Sequence, residues 1–156
     1  MRKNSGFTAF ELALTMAIMG IIASFVLPPY IKWNREHRLR GAVTNMMADM
    51  EMAKIKAIRE NSMVAVQFCQ DRYTIFNENG DTNYTCVTTG REVYRDRKLP
   101  AGVEIDLGDL NFANNRTRFN GRGLPDGMTA ARKIPLKNKT NGQEITVNRL
   151  GYMKVQ

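Results

Sequence analysis

A single carboxylate, Glu11, stands at the head of twenty consecutive uncharged residues, Leu12 to Ile31. At about 1.5 Å rise per residue, a helix of that length crosses a bilayer core of about 30 Å. Carried to mid-membrane unpaired, such a carboxylate costs about 2.5–3.5 kcal/mol, so it needs a partner. A cut after Gly6 would supply one: the new amine on Phe7 would lie four residues before Glu11, and at helical spacing the two charges would share a face, within one chain or between neighbours. Cys69 and Cys86 are the only other residues whose types suggest bond chemistry. In an oxidising compartment two such thiols pair, and closing a loop of this size stabilises by roughly 3 kcal/mol. A nucleophilic thiol is the alternative, but the only histidine, His37, follows directly on the apolar run.

The remaining chemistry is charge. From Lys32 to Asn111 there are 12 basic and 12 acidic side chains, a net of zero. From Phe112 onward nine basic residues (Arg116, Arg118, Arg122, Arg132, Lys133, Lys137, Lys139, Arg149 and Lys154) face only Asp126 and Glu144, a net of +7. Lysine and arginine on such a surface neutralise phosphate without regard to sequence, which makes DNA a partner to consider beside a merely solvated face. No Ser/His/Asp set, zinc-ligand spacing or P-loop is present, so the sequence reads as a structural or binding protein, not an enzyme, with no metal and no cofactor. Gly121-Arg122-Gly123 is too short for a phosphate-cradling loop.

The elements that carry these residues follow from periodicity. Gly20 and the pair Pro28-Pro29 predict a bend in the apolar helix, because a proline removes a hydrogen bond and crowds the preceding turn. Beyond Tyr30, Leu39, Val43, Met46, Met47, Met50, Ala53, Ala57 and Ile58 recur every three or four residues. That spacing predicts one helix from about Phe7 to Glu60, its second half laying an apolar stripe on a head. After Ser62 the texture is β. Strands are expected at 63–69, 72–76, 92–95, 103–107, 117–120, 133–137, 144–148 and 151–155, with a further return at Tyr84–Val87 that brings Cys86 towards Cys69. Asn79-Gly80 and Asn141-Gly142 are the hairpin signals. A conventional secretory signal fits poorly, since its apolar core is shorter and has no acid at its head. Basic residues flank the apolar run on both sides, so the positive-inside rule does not settle its orientation.

The run Gly6-Phe7-Thr8-Ala9-Phe10-Glu11-Leu12 resembles the class III signal of type IV pilins and pseudopilins. The junction Ala53 to Asn61 followed by Val64-Ala65-Val66, and the later order Phe119, Gly121, Gly123, Ile145-Thr146-Val147 and Gly151, resemble the FimT/GspH group of minor pilins. The resemblance implies cleavage after Gly6 by a prepilin peptidase, methylation of Phe7, and guidance of filament assembly by Glu11. It implies loss of helical order between Gly20 and Pro28 on packing, and a head facing the periplasm from a single inner-membrane span. The partners implied are other pilins or pseudopilins and the assembly platform. The organisation expected is a leader over 1–6, a membrane and filament-core helix over 7–31, an amphipathic helix over 32–61, and a β-rich head over 62–156. The fold class is α+β: a long N-terminal helix against a small antiparallel head. FimT-type proteins are associated with DNA capture through a Gly-Arg-x-Arg motif. The matching place here is Gly151-Tyr152-Met153-Lys154, where the first arginine is a tyrosine and the second a lysine. Arg122, Arg132, Lys133 and Arg149 complete the candidate DNA surface. The rival reading is a type II secretion pseudopilin that contacts exoproteins or other pseudopilins and has no DNA role; a major filament subunit is a further alternative.

Overall fold

The computed structural model describes residues 7–78, 80, 85–86 and 90–156. One helix, α1 (Ala9–Glu60), passes through two compact units, Met1–Asn34 and Arg35–Gln156. In the first unit its best 18-residue window has a mean hydropathy of 2.1 and is 0% buried. The hydroxyls of Thr15 and Ser24 donate back to the carbonyls of Leu12 and Ile21 at 2.9 and 2.6 Å, so neither is left unpaired in an apolar stretch. Pro28 and Pro29 lie inside the helix.

In the second unit, Leu39, Ala42, Val43, Met46, Met50, Ala53 and Ala57 form the buried face of α1. The spacing is that of one helical stripe. Asn61, in a left-handed conformation at φ 45°, ends the helix, and the Ser62 N–H donates to the Ala57 carbonyl at 3.2 Å. Eight strands follow: β1 (Val64–Phe68), β2 (Arg72–Asn77), β3 (Val93–Lys98), β4 (Val103–Ile105), β5 (Arg116–Phe119), β6 (Arg132–Asn138), β7 (Gly142–Val147) and β8 (Met153–Val155). They form two antiparallel four-stranded sheets, ordered β3-β2-β1-β5 and β4-β6-β7-β8. Helix and sheets share one apolar core, to which Val64, Val66, Phe68, Tyr73, Ile75, Phe119, Ile134, Leu136, Ile145 and Val147 contribute. Every residue of β1 is buried, because α1 covers one face and a polar layer the other. In that layer the Gln67 amide donates to the carbonyls of Asn114 and Asn115, both at 3.1 Å, and the Arg116 Nε donates to Gln67 Oε1 at 2.9 Å.

A second polar cluster fastens α1 to the first sheet. Asp49, buried within the apolar stripe, accepts from the Tyr73 hydroxyl at 2.7 Å and from Arg97 Nε at 2.6 Å. Burial, reinforced by that carboxylate, pushes the Tyr73 phenol far above the ordinary tyrosine range.

Several strands differ by a few residues from those expected. β3 begins at Val93 and runs on to Lys98, β4 stops at Ile105, and β8 starts only at Met153. The expected return at 84–87 falls partly outside the described residues; Thr85 and Cys86 themselves lie in a bend. Asn79 of the first hairpin signal is likewise outside them.

Candidate assembly and binding surfaces

At the start of α1, Thr8 is the N-cap. Its backbone N–H and its hydroxyl both donate to Glu11 Oε2, at 2.9 and 3.0 Å, and the Glu11 N–H donates to Thr8 Oγ1 at 3.2 Å. This is a reciprocal capping box, the pattern Thr-x-x-Glu at the mouth of a helix. Its Thr8-x-x-Glu11 spacing is itself legible in the sequence. The carboxylate is thus held locally. Phe7 is 87% exposed, and Gly6 lies outside the described residues. No heavy atom comes within 4 Å of where a Cβ on Gly20 would sit, so its lack of a side chain serves nothing within the single chain.

Cys69 and Cys86 are disulfide-bonded, with their Cα atoms 6.1 Å apart. Cys69 directly follows β1, so the bridge ties the connection between β2 and β3 to the end of an inner strand of the first sheet.

The basic third divides once its partners are seen. Arg116 is fully buried and bonded to Glu78 at 3.2 Å; Arg118 lies 3.0 Å from Asp126 and 3.6 Å from Glu78. Lys137 meets Asp106 at 2.5 Å, and its ammonium holds that carboxyl below the usual range. Lys133 is paired with Glu144 at 2.6 Å. Arg132 donates to the Asn111 carbonyl and lies over the Phe112 ring. What remains solvated and without an acidic partner among the described residues is Arg122, Lys139, Arg149 and Lys154. Tyr152, two residues before Lys154, is 74% exposed.

Strand register sorts these further. Lys133 is opposite Thr146 and Thr146 opposite Lys154, so the three form a row across one face of β6, β7 and β8. Arg132 projects to the opposite face of β6 and does not join them. Arg122 is brought near the β7–β8 hairpin instead, because the next residue, Gly123, carries the carbonyl that approaches Gly151. That hairpin is organised by Asn148, whose side-chain oxygen accepts from the N–H groups of Leu150 and Tyr152 at 3.0 and 2.9 Å. Gly151 has a φ of +73°, its carbonyl accepts from Lys54 Nζ at 3.1 Å, and a Cβ there would lie 3.0 Å from the Gly123 carbonyl oxygen. Its glycine is required by the backbone.

Gly121 is a tighter case. A Cβ at this position would stand 2.4 Å from Asn61 Oδ1 and 3.2 Å from Asn61 Cα, at the end of α1. The Asn61 side chain can turn aside, but the backbone contact cannot be relieved without moving the helix end. Gly121→Ala is therefore expected to lower the stability of the detergent-solubilised chain by about 1–3 kcal/mol. A shift in denaturant midpoint at unchanged slope checks it.

A long N-terminal helix packed on a small antiparallel head, with an apolar, capped start, defines a pilin-like protein. The family profile described as "Type II transport protein GspH" matches residues 42–151. The chain belongs to that family. Two solved structures share its fold. The type IV minor pilin FimU of Pseudomonas aeruginosa (strain PAO1) is 12% identical, with 80% of this chain and 92% of that one covered and a TM-score of 0.58. The minor pseudopilin EpsH from the type 2 secretion system of Vibrio cholerae is 11% identical, with 76% and 96% covered and a TM-score of 0.56. No curated protein sequence matches.

Proposed function

We propose that this chain is a minor pilin or pseudopilin that is cut between Gly6 and Phe7, leaves the inner membrane through an assembly platform and joins a filament by its apolar helix. The observation that supports this reading most is the exposure of α1: over its first half every side chain but those of Ala23 and Asn34 is exposed, large apolar ones included, although the segment is strongly apolar. Such a surface needs lipid before assembly and other copies of the helix after it. The role on this reading is one of assembly. Mass spectrometry of the protein from membranes tests the processing step. A chain beginning at a methylated Phe7 is expected; an intact, unmodified Met1 start overturns it.

The row Lys133–Thr146–Lys154, with exposed Arg149 and Tyr152 in the connection between β7 and β8, favours a second reading in which the head also binds DNA. Lysine ammonium groups meet phosphate as point charges, and a tyrosine ring stacks on a base. Lys133 is shared with Glu144, so the solvated pair Arg149 and Lys154 carries more of this reading. Charge reversal of both, Arg149→Glu with Lys154→Glu, is expected to weaken DNA binding by the full chain in detergent and to flatten its salt dependence by about two charges. Gel shifts across a salt titration measure this. Equal affinity for wild type and variant removes Arg149 and Lys154 from this reading, and no shift by the wild type removes DNA and leaves the pseudopilin reading alone.

A further inference from the structure

Near the end of the uncharged run, Tyr30 and Trp33 lie one turn apart on α1. Their ring centroids are 6.1 Å apart, and the two residues are 56% and 57% exposed. Between them stands Lys32, the first charge after Glu11. None of the three can be needed to complete the core, because the first buried residue of α1 is Leu39. Rings with an apolar body and a polar edge are most stable at the boundary between hydrocarbon and water, and a lysine beside them reaches lipid phosphate with its ammonium.

Length agrees with this placement. Phe10 to Trp33 is 24 residues, or about 35 Å of helix, which is the hydrocarbon core of about 30 Å and a few ångströms of interface. The opposite end then falls at exposed Phe7 and Phe10, where Glu11 is already occupied by the N–H and hydroxyl of Thr8. With both ends at interfaces, no charge is placed at mid-bilayer.

We propose that Tyr30, Lys32 and Trp33 form a headgroup anchor that fixes the depth at which α1 leaves the membrane, with the rings among the glycerol and ester groups and Lys32 on phosphate. The anchor rests on the membrane-spanning reading above and adds a defined boundary to it. It holds the unassembled subunit at one height, and assembly must lift these rings out of the interface.

Trp33 is the only tryptophan, so its fluorescence reports its own depth in the full chain. The protein is reconstituted at low protein-to-lipid ratio in phosphatidylcholine–phosphatidylglycerol vesicles, and its flotation with them is checked first. Trp33 emission is expected to shift to shorter wavelength. Lipids brominated near the glycerol should quench it more than lipids brominated near the chain ends, and aqueous iodide only weakly. Moving the probe in Phe25→Trp with Trp33→Leu, eight residues or about 12 Å deeper, should reverse the order of the two brominated lipids. Lys32→Leu should shift Trp33 quenching towards the deeper bromines, as the longer apolar run settles inward. Failure to float would overturn the membrane reading itself. Flotation with Trp33 open to iodide, quenched mostly by chain-end bromines, or shielded from lipid and iodide alike by a second copy would overturn the anchor alone. An unmoved Lys32→Leu profile would strike the lysine from it.

Discussion

Glu11→Val is expected to remove the chain from sheared filaments while leaving it in the membrane. The substitution makes the span more apolar, so insertion does not suffer. On the processing and packing proposed above, what is lost is the partner of the Phe7 amine in a packed core, where an unmatched charge costs about 2.5–3.5 kcal/mol, or roughly a hundredfold in incorporation per contact. Immunoblots of sheared and membrane fractions give the ratio. The capping box offers a rival cause, since Glu11 also closes the helix start through Thr8. Thr8→Ala separates the two. It removes the cap, at about 0.5–2 kcal/mol, but keeps the carboxylate for the amine. Thr8→Ala should therefore assemble far better than Glu11→Val. Equal losses would assign the role of Glu11 to helix capping.

The second large effect lies in the head. Arg116→Met is expected to cost about 3–5 kcal/mol, a large share of the 5–15 kcal/mol that holds an ordinary domain together. The Arg116 side chain is 2% exposed; its Nη1 bonds Glu78 at 3.2 Å, its Nε bonds Gln67 at 2.9 Å, and its guanidinium lies 5.0 Å over the Phe76 ring. Methionine fills the space of the stem but leaves Glu78 with Arg118 at 3.6 Å and strands the Gln67 oxygen. The penalty comes from the orphaned partners, not from the lost pair. Arg116→Met combined with Glu78→Leu should recover part of the loss, since a buried ion pair and its apolar replacement are often close in stability, whereas Gln67 has to stay because its amide serves the Asn114 and Asn115 carbonyls. Arg116→Lys should recover little, because one ammonium cannot reproduce a fork that serves both residues. Denaturant midpoints of the four proteins decide the point. A wild-type midpoint in Arg116→Met would show that the cluster is solvated.

Arg116 also shows where charge counting misleads. In the sequence it belongs to a basic third with a net of +7. In the fold its counterion comes from Glu78, in the neutral segment, and Arg118 shares that acid. Arg132 and Lys133 are adjacent in sequence and point to opposite faces of β6, whereas Lys133 and Lys154, twenty-one residues apart, stand in one row. The hairpin at 138–142 teaches the same lesson at shorter range. Asn141-Gly142 marks the right place, but the turn is built by Asn138, whose side chain accepts from the N–H groups of Thr140 and Asn141, both at 2.7 Å. Gly142 has no left-handed φ.

The Phe119, Gly121 and Gly123 pattern acquires a physical meaning only in three dimensions. Phe119 is in the core, Gly121 lets the chain pass the end of α1, and Gly123, at φ +74°, lies where a Cβ would meet Ile58 Cδ1 at 2.7 Å. The spacing is visible beforehand, but the helix end that demands it is not.

By itself the sequence determined the helix, its apolar and amphipathic halves, the acid at its start and most of the strands. These depend on neighbours a few residues apart, through helical pitch, strand alternation and local hydrogen bonds. The tertiary structure alone decided that the strands divide into two sheets, that β1 pairs with β5 some fifty residues on, and which basic side chains remain free in solvent. Those outcomes rest on contacts between distant segments, whose partners are chosen by how the whole chain packs its core, and no local pattern encodes that choice.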